Sequence, residues 1–206
     1  MESVLRSLMQ SLTTSAEKEH KDSLVSGAWM IAFAGLTAVG AQVAIPHHPV
    51  PYTLQTLFVL LAGAFLGGRN GSMSQLLYLA IGLAGGPVFA GMSGGLMILA
   101  GPSGGYLLSF PFAAMLVGLL LRKRRGYLWT LLSMGLGLLV IFTVGTAYLD
   151  LFFLHNLRTA FAEGFFIFSW WDLLKLLAAT AVYREVAKKY SVLPSSGHRA
   201  SHSSVA

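Results

Sequence analysis

Apolar residues run along this chain in long blocks. Leu24 to about Ile45, Tyr52 to Gly68, Ser72 to Gly85, Gly105 to Leu121, Tyr127 to Ala147 and Trp171 to Tyr183 carry almost no charge. A helix crosses a bilayer with about 20 predominantly apolar residues. The blocks therefore predict six spans, of which the second is short, about 25 Å at the helical rise. The first block is crowded with small residues. Ala28 and Ala32 lie one turn apart on one face, as do Ala34 and Ala38, and such faces let another helix approach closely.

The segments between the blocks are as informative. Pro46-His47-His48-Pro49-Val50-Pro51 cannot be helix interior, because its prolines fix the backbone and remove donors. Arg69-Asn70-Gly71 reads as a tight turn between the second and third spans. Gly85 to Gly105 is too rich in glycine for a helix, yet Val88, Phe89, Met92, Leu96, Met97, Ile98 and Leu99 make it apolar, unlike a flexible linker. Irregular backbone at membrane depth is tolerated only where protein buries it or it lines a cavity, so this segment is expected to cap the bundle. Before the first span, Leu5, Leu8, Met9 and Leu12 share a helical face, which fits either a helix lying on the membrane surface or a frayed tail. After Pro194 the chain has no periodicity and is expected to be disordered. The expected organisation is all-α and polytopic. A cytoplasmic N-terminal segment covers residues 1–23 and a six-helix transmembrane domain covers residues 24–190. A disordered cytoplasmic tail covers residues 191–206, and a Gly-rich outer loop joins helices three and four.

Composition supports this class. Of 206 residues, 55% are hydrophobic and only 11% charged, against roughly a quarter charged in a soluble domain. The formal charge of +6 is unevenly placed. With six spans and a cytoplasmic N-terminus, Arg6, Lys18, Lys21, Arg69, the run Arg122 to Arg125, Arg184, Lys188, Lys189 and Arg199 fall on one side. Arg158 falls on the other, with Lys175 just inside the last span. That is the positive-inside asymmetry, with both termini cytoplasmic. No basic stripe alternates with exposed aromatics, so nucleic acid is not an expected partner. Cysteine is absent, which excludes disulfides and thiolate metal sites. His47 and His48 have no further ligand at metal spacing, and no HExxH occurs.

The last block carries the chemistry. Asp172 and Lys175 are i and i+3 and so share one helix face. Charges inside an apolar span need a partner, a water-filled cavity or a ligand. Trp170 and Trp171 precede them, as aromatic residues do at a membrane interface. The proline loop, the Gly-rich segment, the tryptophans and the ion pair all fall toward the outer face, which makes that end the expected pocket. A self-neutralising pair facing water at the mouth of the span is the structural alternative. As a ligand clamp, an ammonium suits a carboxylate and the Asp can accept from an amide-like N–H. The surrounding aromatics suit an apolar ligand body. No phosphate loop, proton-relay acid or nucleophile–base pair is visible. An intramembrane enzyme using Asp172 as base would need His155 or Glu163 as its second group. The expected class is a substrate-binding membrane subunit that relies on an external motor.

Several blocks together resemble one family. They are Ile45-Pro46-x-x-Pro49-Val50-Pro51-x-Thr53-Leu54-Gln55-Thr56, Leu60-Leu61-Ala62-Gly63, Gly85-x-Pro87-Val88-Phe89-Ala90-Gly91, Gly94-Gly95, Gly101-Pro102-x-Gly104-Gly105-Tyr106-Leu107 and Asp172-Leu173-x-Lys175. The chain resembles the BioY family of biotin-specific substrate-binding (S) components of energy-coupling-factor transporters, over about Ala28 to Lys189. The resemblance implies a multi-pass protein of the bacterial plasma (inner) membrane that captures biotin from outside and releases it inward. Biotin would be cargo, with no cofactor. The resemblance makes Asp172 and Lys175 ligands of biotin's polar groups and puts Gln55 and Tyr106 in the pocket wall. Phe89 and Trp171 would border the apolar body. Ala28 and Ala32 would dock a transmembrane coupling subunit, and ATP would be hydrolysed on separate ATPase subunits. An S component for another small carboxylate-bearing vitamin is the nearest alternative. The segment Ala90-Gly91-Met92 lacks the amide that some members use on the ligand; backbone groups or Asn156 are the candidates to replace it.

Overall fold

The computed structural model describes residues 2–124, 126–165 and 170–189, with side chains from Glu17 onward except those of Lys18, Trp170, Lys188 and Lys189. The chain is mostly helical. Helix α1 (Glu2–Gln42) is one continuous helix, so the first apolar block is the second half of a longer helix and no break separates residues 2–23 from it. A two-stranded antiparallel sheet follows, with β1 (Ala44–Ile45) paired to β2 (Tyr52–Thr53) across the proline loop. This hairpin is a small departure from an all-α fold. The backbone groups that the prolines free from helical bonding are partly used in the ladder, where Ala44 faces Thr53 and Ile45 faces Tyr52.

Helix α2 (Gln55–Leu83) contains both the second and third apolar blocks. It is interrupted at Gly67, whose φ of 77° and ψ of 174° lie outside the helical region and are essentially accessible only to glycine. The chain doubles back there. A β-carbon on Gly71 would lie 2.8 Å from the α-carbon of Gly63, a separation that residues eight apart in a straight helix could not approach. The reversal is thus at Gly67, and Arg69-Asn70-Gly71, expected as the turn, are already helical.

Residues 84–103 connect α2 to α4 through a single helical turn, α3 (Leu96–Leu99). Helix α4 (Gly104–Lys123) holds Pro111 in its interior and ends on Arg122 and Lys123, cations placed where the helix dipole favours them. Helix α5 (Tyr127–Leu149) runs into a wider π-helical turn at Asp150–Leu154. Asn156 caps the short α6 (Leu157–Ala160) by accepting from the Arg158 and Thr159 amides at 3.1 and 3.2 Å. The last described helix is α7 (Trp170–Lys189). The expected tail at 191–206 lies outside the described residues.

Among the described residues, three helical stretches, Glu19–Gln42, Gly104–Lys123 and Tyr127–Leu154, are long and apolar enough to cross a membrane. Their outward faces are apolar too: Ile31, Val39, Phe112, Leu128 and Leu132 are all exposed. A bundle apolar both inside and outside is built for lipid. Two buried clusters fill it. One gathers Phe33, Leu60, Phe65, Met134 and Tyr183. The other gathers Tyr78, Phe89, Tyr106, Phe110 and Phe142 and surrounds the cavity described below.

The α2 hairpin and α4 touch backbone to backbone. A β-carbon on Gly118 would lie 2.2 Å from the Gly68 nitrogen, whereas one on Gly35 would meet nothing within 4 Å. Gly118→Val is therefore expected to destabilise the detergent-solubilised protein by about 2 kcal/mol or more, and Gly35→Val to leave its thermal unfolding unchanged. Comparison of the two melting curves checks this.

Candidate ligand site

The site is built where the start of α7 meets the start of α2. Asp172 and Lys175 lie one turn apart and face inward, with 1% and 6% of their side-chain surface exposed. They form an ion pair. The ammonium also donates to the Thr53 carbonyl at 3.0 Å and to the Thr56 hydroxyl at 3.0 Å. An ammonium has three donors, and here each has an acceptor. The Thr56 hydroxyl, accepting from Lys175, interacts in turn with the Asp172 carboxylate. Asp172 Oδ1 is buried and has no partner beyond the ammonium. A carboxylate offers about four lone-pair positions, so Asp172 retains acceptor capacity toward the space in front of it.

That space is a cavity of about 260 Å³, near the lower end of the range for small-molecule sites, about 300–1,000 Å³. Its polar end is Asp172, Lys175, Thr53, Gln55 and Thr56, and its walls include Phe89, Ile98, Tyr106, Phe110, Ile141 and Phe142. Val50, Pro51 and Tyr52 of the proline hairpin and Ser93 and Ser103 of the glycine-rich connection complete it. One largely apolar cavity thus has a single charged, overall neutral end.

Gln55 sits deep in this wall, at 5% exposure. Its carbonyl accepts from the Thr53 hydroxyl at 2.7 Å, and its amide nitrogen donates to the Tyr78 hydroxyl at 2.6 Å. Tyr78 donates onward to the Val88 carbonyl at 3.2 Å. The Phe89 ring lies where a side chain on residue 82 would be, since a β-carbon on Gly82 would come within 2.1 Å of it. Phe89 also meets Tyr78 edge to face at 5.5 Å. Tyr106 donates to the Gly164 carbonyl at 3.0 Å and packs edge-on against Phe142.

The structure brings together Asp172, Lys175, Gln55, Tyr106 and Phe89. Trp171 is partly buried at the start of α7 and is not among the lining residues. It is i, i+4 with Lys175 and so only about 40° from it in helical phase, but it sits in the first turn of α7, ahead of the charged pair. Ala28 and Ala32 are exposed on α1, away from the cavity. Asn156 is committed to capping α6 and does not line the cavity. His47 packs edge-on against Tyr52 at 4.8 Å, and no cluster of three metal-ligating side chains occurs among the described residues. Sequence reasoning gave no role to Thr56, whose spacing from Thr53 puts both near Lys175. It also gave none to Gln42, whose amide donates to the Phe89 carbonyl at 3.0 Å and accepts from the Met92 amide at 2.9 Å.

These features define a helical membrane protein with a small-ligand site, a largely apolar cavity bounded at one end by a buried ion pair. The BioY family model matches residues 12–192, and the chain belongs to the BioY family. It is 40% identical over 156 residues to the biotin transporter BioY of Thermotoga maritima, covering 76% of this chain and 92% of that protein. It is 46% identical over 150 residues to a probable biotin transporter BioY of Pyrococcus horikoshii, covering 73% and 87%. Its fold is similar to the crystal structure of the S-component for biotin from an ECF-type ABC transporter, with a TM-score of 0.75 and 25% identity, over 82% of this chain and 93% of that one.

Removing one member of a buried pair leaves the other charge uncompensated, which typically costs about 3–5 kcal/mol. Replacing both by apolar residues is often neutral. Asp172→Leu and Lys175→Met are each expected to lower the melting temperature clearly, and the double variant to recover most of the loss. Thermal unfolding of the four proteins in detergent reads out this non-additivity.

Proposed function

We propose that this chain is the biotin-binding membrane subunit of an ATP-driven uptake transporter, capturing biotin at the outer face and releasing it inward. The observation that carries the reading is the Asp172–Lys175 pair at the end of an apolar cavity. Biotin has matching parts: a neutral ureido head with two N–H donors and one carbonyl, a thioether ring, an aliphatic arm and a terminal carboxylate. Every donor of Lys175 already has an acceptor. Bringing a carboxylate to this neutral pair would bury a net negative charge, with a desolvation cost of several kcal/mol. The ureido head carries no charge, can donate to Asp172 and can accept from the second N–H of the Gln55 amide, whose first goes to Tyr78. We therefore assign the head to the ion pair, instead of pairing Lys175 with the carboxylate. The carboxylate then lies toward the mouth near Ser103 and the proline hairpin.

In this reading the bundle crosses the bacterial plasma membrane six times, through α1, the two arms of α2, α4, α5 and α7. Both termini and the basic run at Arg122 lie on the cytoplasmic side. The proline hairpin, the glycine-rich connection and the ion pair face outward. Biotin is cargo, and no cofactor is assigned. The chain is a transporter subunit and not an enzyme. A transmembrane coupling subunit docks on the α1 face that exposes Ala28 and Ala32, where small side chains permit close helix contact. ATP is hydrolysed on separate ATPase subunits.

Competition against radiolabelled biotin on the purified protein tests both the ligand and its orientation. Biotin methyl ester is expected to compete within about tenfold of biotin. A ureido N-methylated analogue should lose about 100-fold or more, as should biotin itself against Lys175→Ala, the penalty of truncating one partner of a buried charge pair. Thiamine and riboflavin should not compete. Ester binding weakened by orders of magnitude with the ureido analogue unaffected would reverse the orientation, and displacement by another vitamin alone would replace the ligand.

A further inference from the structure

The polar wall and the segment covering it are joined through one hydroxyl. Tyr78 is 1% exposed and sits on the returning arm of α2. Its direction of hydrogen bonding is fixed by its neighbours. The Val88 carbonyl can only accept, so the Tyr78 proton goes to it, at 3.2 Å. The hydroxyl oxygen must then accept from Gln55, whose NH2 lies 2.6 Å away. This turns the Gln55 carbonyl toward the Thr53 hydroxyl, at 2.7 Å. The Thr53 carbonyl in turn accepts from Lys175 at 3.0 Å. The residue after Val88 is Phe89, an aromatic wall of the cavity that also packs edge-on against the Tyr78 ring.

We propose that Tyr78, which does not itself line the cavity, is the positioning residue of the site. It sets which way the Gln55 amide faces and tethers the Val88–Phe89 wall to the charged end, so that it governs how long a ligand is retained. The inference rests on the functional reading above for the ligand, but its structural half, the tether, does not. A lone hydroxyl can hold both partners only as acceptor from one and donor to the other, and Tyr78 is arranged in that way. Without it, the Gln55 amide loses the group that fixes its rotation and the Val88 carbonyl loses its donor. Gln42 at the end of α1 also reaches this segment, donating to the Phe89 carbonyl at a half-buried position and accepting from the Met92 amide at an exposed one, but it makes no contact with Gln55 or the charged end.

The test is Tyr78→Phe, which deletes one oxygen and keeps both aromatic contacts. Biotin dissociation is expected to quicken about tenfold, the size of one lost buried hydrogen bond. In a double-mutant cycle, Gln55→Ala should absorb most of that effect, because Tyr78 acts partly through Gln55. Thr37→Val removes a comparable buried hydroxyl on α1, one that bonds Gln75 and not the cavity wall, and should leave the dissociation rate unchanged. The tether is read separately without ligand. The chain has no cysteine, so Ala90→Cys introduces a unique thiol beside Phe89 in the cavity lining. Its reaction with a maleimide should be several-fold faster in the Tyr78→Phe background than with Tyr78 intact. An unchanged labelling rate overturns the tether, and an unchanged dissociation rate, or one altered equally by Thr37→Val, overturns the positioning role. Failure of the unaltered protein to bind biotin would count against the functional reading instead, and the labelling rates would still decide the tether.

Discussion

An ammonium group buried in an apolar bundle dictates much of this architecture. Lys175 sits on a helix whose own backbone carbonyls are already bonded, so its three donors must be met by other groups. Asp172 supplies one acceptor from the preceding turn. The other two come from the end of β2, as the Thr53 carbonyl, and from the first turn of α2, as the Thr56 hydroxyl. That requirement fixes α7 against the entry of α2 and makes the proline hairpin, which delivers Thr53, part of the site. The bundle therefore carries its most costly group in a finished, neutral arrangement, and the cavity forms beside it. A site prepared in this way needs little reorganisation when a neutral polar head replaces water, which is the condition under which small ligands are held tightly.

Glycine acts at two levels in the same assembly. At Gly67 it permits a backbone conformation that reverses α2, so Gln55 and Tyr78, twenty-three positions apart, become neighbours. At Gly82 and Gly118 it supplies missing volume, letting the Phe89 ring and the α2 turn approach closely. The aromatic wall and the polar wall depend on the same hairpin. Geometry at the cavity is therefore sensitive to residues that never face a ligand.

Much of this was legible in the amino-acid sequence. Asp172 and Lys175 stood out because charge in an apolar span is costly, and their spacing alone put them on one face. The blocks around Gln55, Phe89 and Tyr106 carried the family resemblance, and all three residues line the cavity. Other features were not legible. The turn was expected at Arg69-Asn70-Gly71 because charge and glycine usually punctuate helices, but the reversal is governed by backbone dihedrals at Gly67 that composition does not encode. The length of α1 was missed because residues 1–23 lose apolar character without containing a helix breaker. Trp171 shares a helix face with Lys175 by spacing, yet it does not line the cavity; residue type and spacing do not say how far along the helix axis the cavity reaches. The contacts of Gln42 and Tyr78 span long sequence separations and leave no local pattern.

The central claim is that the ion pair at the end of the cavity recognises the ligand and is not merely a structural bridge. Equilibrium binding of radiolabelled biotin to the Asp172→Leu, Lys175→Met double variant, in preparations whose melting temperature matches that of the unaltered protein, tests it most directly. The account predicts a folded protein with no saturable biotin binding, beside tight binding by the unaltered chain. Binding of near-normal affinity by the double variant would contradict it and leave the pair with a structural role alone.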